Sequence, residues 1–361
     1  MADGKKNYDW IDTIRVLSTL LIIIFHYGCV LLENPNLHET MIKYCLGLGH
    51  IGVAAFFGIS GYLVVSSLDR SKSVLDFYRR KIIRVILPFT AIYILAVVAL
   101  FFLNLIKHPF LPVFPSFAMI VGLVPIDLNL TKFFNIPHFF VIGEWFIGTI
   151  IWMYLVAPPI YKLLKKNVAL TFIGSIIVAC MSIDFFMDLQ MQNRIFNVQT
   201  IFIVRLPEFI LGMILFLYKD KIFKSAPMAV GIALTVAMIL YSAFSDINTP
   251  TVLLKYFYGE GTDLHLILAL MFTVYASFII AHLLNKYCSA AMKPINNFKD
   301  ISYMVILVHH IIIHLFNKVF TLTMAGGLKA FFLMLLLILV VVFASIILRK
   351  IYTPFEKKLL G

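Results

Sequence analysis

The stretch IDTIRVLSTLLIIIFHYGCVLL, residues 11–32, decides the fold. Its only formally charged side chains are Asp12 and Arg15, both in its first turns. As a helix at 1.5 Å per residue it spans about 33 Å, enough for a hydrocarbon core about 30 Å thick. The apolar run is too long for a signal peptide, and no A-x-A-like cleavage site follows, so it reads as a retained span.

The rest of the chain repeats this pattern. Of 361 residues, 61% are apolar and only 13% are charged, against about 25% charged in an ordinary globular protein. Mean hydropathy is +0.97. A soluble enzyme, a disordered tail and a disulfide scaffold are excluded, and the fold class is an all-α polytopic membrane protein. Segments near 11–32, 48–68, 83–106, 139–161, 168–187, 200–218, 226–244, 263–284, 301–317 and 328–349 are long and apolar enough to span. The four cysteines, Cys29, Cys45, Cys180 and Cys288, show no metal-ligand or CxxC spacing and read as buried small side chains. No metal is expected.

The net charge is +12. In a soluble protein it would suggest nucleic acid, but here its placement matters first. One alternate set of loops, which includes both termini, carries 21 of the 30 Lys and Arg residues, and the opposite set carries 7. Cytoplasmic loops collect Lys and Arg, so this bias predicts about ten helices with both termini cytoplasmic. The longest loop, near 107–138, holds Pro109, Pro112, Pro115, Pro125 and Pro137. Prolines that frequent exclude a regular spanning helix. A lid over an outward-facing site and a passive linker both fit. No internal repeat is visible, which weakens an inverted-repeat transporter.

Ionisable groups inside a span are functional candidates because their burial in lipid is costly. Arg15 and His26 are eleven residues apart, about 20° beyond three full turns, so they share one helical face about 16 Å apart along the axis. Arg offers a planar fork to phosphate or carboxylate. A histidine can act as a general base toward a hydroxyl or as a transient nucleophile. Asp12 lies one turn before Arg15 and can orient it. The plainer reading pairs a snorkelling Arg15 with Asp12 and leaves His26 as a packed core histidine.

Other candidates follow along the chain. FFGISGYLV, residues 56–64, combines small residues that let helices approach with the hydroxyls of Ser60 and Tyr62. Arg79, Arg80, Lys81 and Arg84 make an anion trap or a lipid-headgroup contact. Glu144 and Trp145 begin the fourth span, as a carboxylate beside an aromatic platform or as interfacial belt residues. Arg205 and Glu208 are one turn apart and can simply pair. His309 follows Ser302 by two turns on one face, with His310 beside it.

Together these residues resemble the acyltransferase-3 family of integral membrane acyltransferases. The resemblance rests on Asp12-x-x-Arg15 with Phe25-His26, on FFGISGYLV, on FYRRKIIRVILP at 77–88, on RLPEFILGM at 205–213 and on SYMVILVH at 302–309. These five ordered strings span most of the chain. The resemblance implies one ten-helix domain over residues 1–361, in a bacterial-type cell membrane. It implies transfer of an acyl group, usually acetyl, from coenzyme A to a hydroxyl of a cell-envelope or exported carbohydrate or glycolipid. His26 matches the family's essential histidine and Arg15 its arginine, with Asp12 beside them. Arg80, Lys81 and Arg84, with Ser60 and Tyr62, would meet the acetyl-CoA donor. Glu144, Trp145, Arg205, Glu208 and His309 would serve the acceptor. The bilayer and the glycan are the expected partners, nucleic acid is not, and a homo-oligomer is compatible with this reading.

Three positions depart from the family pattern. Lys81 and Arg84 stand where many members have two arginines, which keeps the charge but loses one bidentate fork. Ile150 stands five residues after Trp145 where many members have Glu, and Ile306 replaces a usual Tyr. No soluble hydrolase-like domain is expected at the C-terminus. A non-catalytic polysaccharide or lipid translocator is the competing class, and a catalytically dead partner subunit is a third. Binding of coenzyme A separates an enzyme from a translocator.

Overall fold

The computed structural model describes residues 9–32, 34, 39–102, 121–125, 127–136, 142–222, 224 and 263–360. Helices dominate, and no strand occurs among the described residues. Those of six residues or more are, in chain order, α1 Asp9–Leu31, α2 Glu39–Arg70, α3 Val74–Lys81, α4 Leu87–Phe102, α5 Leu128–Phe133, α6 Glu144–Lys166, α7 Val168–Met191, α8 Phe202–Leu217, α9 Asp263–Tyr287, α10 Ser289–Asn296, α11 Ser302–Phe320 and α12 Gly327–Leu360.

Eight stretches are long and apolar enough to cross a membrane: Asp9–Leu31, Leu48–Arg70, Val74–Leu100, Trp145–Lys166, Val168–Met191, Ile267–Tyr287, Ser289–Phe320 and Gly327–Leu360. The segment expected near 200–218 forms α8, whose 16 residues are short for a full crossing. The segment near 226–244 and most of the Pro-rich loop lie outside the described residues. The third span begins earlier than expected, because the basic run 79–84 continues it as helix instead of forming a loop.

α1 and α2 lie along each other, and α2 also packs along α8. The α2–α8 crossing is set by glycine. A Cβ on Gly61 would collide with the Phe209 carbonyl, and one on Gly212 with the Gly58 carbonyl. Thus FFGISGYLV and RLPEFILGM are two faces of one close contact, as expected of small residues between membrane helices. α2 therefore separates two apolar cores, one shared with α4, α6, α11 and α12, the other with α7 and α9. α7 and α12 turn Leu170, Met181, Phe185, Leu339 and Phe343 outward. In a bilayer this apolar exposure is solvation by lipid, not a defect.

Two carbonyls that lose their donors to proline accept from tyrosines instead. Pro159 in α6 cannot donate to Leu155 O, which instead accepts from Tyr78 Oη at 2.8 Å. A π-helical turn, Ile82–Ile86, joins α3 to α4, and Leu87 N–H bonds Ile82 O in that register. The next donor in register would be Pro88, which has no N–H. Its would-be acceptor, Ile83 O, accepts from Tyr352 Oη of α12 at 2.6 Å. Tyr303 Oη of α11 donates to Val85 O at 2.7 Å.

Outside the spans, Asp127 caps α5 by accepting from the Asn129 and Leu130 N–H groups. Burial pushes its carboxyl above the usual carboxylate range, against the effect of those hydrogen bonds. Asn129 then accepts from the N–H groups of Phe196 and Asn197 and donates to Thr200 Oγ1, tying α5 to the turn before α8.

Candidate active site

α1 runs between two groups of polar side chains. At its later half, His26 meets His309 and His310 of α11. Ring centroids are 4.9 Å apart for His26 and His309, 3.9 Å for His26 and His310, and 4.6 Å for His309 and His310. Phe25 lies edge-on to His26 at 4.7 Å. Consecutive helix positions diverge by about 100°, yet both α11 histidines reach His26. The His309 Nδ1 donates to Ile306 O at 2.8 Å and Val305 O at 3.1 Å. Its Nε2 is buried and has no hydrogen-bond partner among the described residues.

Gly143 closes the His310 side. Its φ of 76° is left-handed, and a Cβ there would lie 2.8 Å from His310 Cδ2. Both facts require glycine, and the close approach sets the first turn of α6 against the His310 ring. Glu144 and Trp145 follow immediately in that turn. The Glu144 side chain lies outside the described residues. Trp145 is partly buried and edge-on to Phe146 at 5.8 Å.

The other group surrounds Arg15. Asp12 is 3.6 Å from Arg15 Nη1 but 2.7 Å from Lys299 Nζ, so Lys299 is its nearer cation. Thr13 Oγ1 donates to Asn296 Oδ1 at 2.6 Å and accepts from Asn285 Nδ2 at 2.7 Å. Arg15 is close enough to Tyr154 to interact electrostatically, and Ser60 hydrogen-bonds Tyr154. Lys81 Nζ lies over the Tyr154 ring at 4.2 Å and the Phe77 ring at 5.3 Å. No carboxylate pairs with Lys81 among the described residues.

Two of the remaining cations of the basic run are ion-paired, while Arg79 donates to Leu359 O at 2.8 Å. Arg80 Nε is 3.0 Å from Asp76, and Arg84 Nε is 3.4 Å from Glu356. Glu356 also holds Arg349 at 2.6 Å. Arg84 is half-exposed and can still reach a second anion. Ser60 and Tyr62, two positions apart on α2, diverge by about 200°. Ser60 faces Tyr154, while Tyr62 packs edge-on to Trp10 and Phe216 in the other core. Arg205 and Glu208 are fully buried and paired at 2.9 Å, with the guanidinium over Phe57.

The geometry therefore brings Arg15, Asp12, Ser60 and Lys81 to one group and His26 and His309 to the other. It turns Tyr62 into the other core and leaves Arg205 and Glu208 paired with each other in the interior. It adds Tyr154, Lys299, His310 and Glu356, which sequence reasoning did not select as site residues. Only the doublet His309-His310 was visible as a signal. Tyr154 is one of 16 tyrosines and has no distinguishing pattern.

A bundle of apolar helices enclosing basic and imidazole groups defines a polytopic membrane protein with a polar site inside. The chain belongs to the acyltransferase-3 family: the family profile, described as an acyltransferase domain, matches residues 8–350. No curated protein and no solved structure matches the chain. The match supports a membrane acyltransferase.

Proposed function

We propose that the protein transfers an acyl group, acetyl in the simplest case, from an acyl-CoA to a hydroxyl of a cell-envelope or exported carbohydrate or glycolipid. The observation that carries this reading is the layout of α1. A cationic group, Arg15 with Lys81, stands at one end and an imidazole group, His26 with His309 and His310, at the other. Lys81 has no carboxylate partner among the described residues, so it is available to the anionic donor, with Arg15 further in. Arg84 and Arg80 sit on the approach. The separation of about 16 Å between Arg15 and His26 is within reach of an extended pantetheine arm.

His26 acts as general base. As the acceptor oxygen attacks the thioester carbonyl, its proton passes to His26. The C–S bond breaks, and the coenzyme A thiolate leaves and receives that proton. Glu144, Trp145 and the Pro-rich loop meet the acceptor. Ten spans with both termini cytoplasmic complete the reading: the eight stretches above, the short α8 and the segment near 226–244.

His26→Ala removes the base, and general-base catalysis contributes about 10²–10⁴-fold. The expected result is a loss of that order in acceptor-dependent coenzyme A release, with the protein still folded and inserted. Full activity in that variant overturns the assignment. Mass spectrometry of envelope glycans with and without the gene identifies the acyl group and the sugar together. Absence of coenzyme A binding by the purified protein would favour the translocator.

A further inference from the structure

We propose that His26, His309 and His310 form a binding site for one divalent transition-metal ion of the zinc class. Each offers one ligand nitrogen, and the three nitrogens lie within 4.8 Å of one another. Around a tetrahedral zinc ion with Zn–N of about 2.0–2.1 Å, neighbouring nitrogens stand about 3.3 Å apart. Modest ring rotations bring the three donors to that spacing.

His309 is set up as a ligand. Its Nδ1 faces two backbone carbonyls and must carry the proton, so the lone pair is on Nε2. That lone pair is buried without a partner among the described residues, in a residue only 3% exposed. An unsatisfied buried acceptor is costly. One ring nitrogen anchored to a carbonyl and the other left open is the arrangement that orients metal-binding histidines. Gly143 packs closely on the His310 ring, where a Cβ would lie 2.8 Å from Cδ2, so the backbone holds that imidazole in place.

The donor set selects the ion. Three imidazoles favour zinc, copper, iron or nickel, whereas magnesium and calcium require oxygen. The group contains no carboxylate among the described residues. Three protein ligands leave a fourth position for water. Because His26 comes from α1 and the others from α11, a bound ion would cross-link two helices that meet across almost the whole chain.

The ion and a proton compete for the His26 lone pair, so a bound metal silences His26 as a base. This consequence, unlike the site itself, rests on the proposed function. Zinc should therefore inhibit acyl transfer, and a chelator should restore it.

The test uses the full-length protein in detergent with any polyhistidine tag removed. Titration with Co²⁺ should show one equivalent with tetrahedral d–d bands. X-ray absorption of the Zn²⁺ form should show three imidazole nitrogens at about 2.0–2.1 Å. His309→Ala and His310→Ala should each weaken binding at least about tenfold. Failure of the wild-type protein to bind one equivalent, or an absorption spectrum lacking three imidazoles, overturns the site. So does unchanged affinity in both folded variants. If the variants do not fold, the wild-type absorption spectrum decides alone. If zinc binds through three imidazoles but acyl transfer continues unimpaired, the metal site stands and the role of His26 as base falls.

Discussion

At the scale of single residues, the notable device is the tyrosine that answers a proline. A carbonyl without a donor inside lipid costs more than one at a wet surface, because no water can replace the donor. Tyr352 meets this need at Ile83 O, where Pro88 cannot. Tyr352→Phe should therefore cost about 1–3 kcal/mol of stability, read as a lower unfolding midpoint in detergent. The same change in a Pro88→Ala background should cost much less, because residue 88 then has its own N–H. Equal losses in both backgrounds would contradict this account. Pro88 is visible in the sequence, but its partner is not: Tyr352 lies 264 positions later, and nothing in its neighbours sets it apart from other interfacial tyrosines.

At the scale of elements, two of the recurring strings turn out to be one structure. FFGISGYLV and RLPEFILGM face each other through Gly58, Gly61 and Gly212. A methyl group at either crossing glycine meets backbone, which cannot rotate away as a side chain can. Gly61→Ala and Gly212→Ala should each reduce the yield of monodisperse protein and lower its melting temperature. Gly174→Ala, where a Cβ meets nothing within 4 Å, should be tolerated. Thermal scans of the three variants check this. The packing role of the small residues is legible from α2 alone, since glycine spacing announces a close approach. The identity of the partner helix is not, because apolar faces carry no address. Similarly, the one-face relation of Arg15 and His26 follows from helical geometry. That His310 joins His26 depends on how α11 is rotated against α1, which only packing decides.

At the scale of the whole molecule, the alternation of apolar runs and cations is legible because the bilayer imposes it: length sets the spans and Lys/Arg bias sets their orientation. The basic run 79–84 is the exception. Its charge reads as a loop, but its backbone stays helical, with Arg80 paired to Asp76 one turn before and Arg84 paired to Glu356 across α12. The proposed even span count puts both termini on the cytoplasmic side. Lys6→Cys and Lys358→Cys, each in a background without the four native cysteines, should resist an impermeant maleimide in intact cells and react after lysis. Labelling of just one of them in intact cells would reject that topology.

The ion pair between Asp12 and Lys299 has a mechanical consequence. It fastens the start of α1 to the turn that leads into α11, and the Thr13–Asn296 bond reinforces it. Further along, the same two segments meet again through the histidine rings. Two helices riveted at both ends cannot slide past each other by a turn without breaking every rivet together.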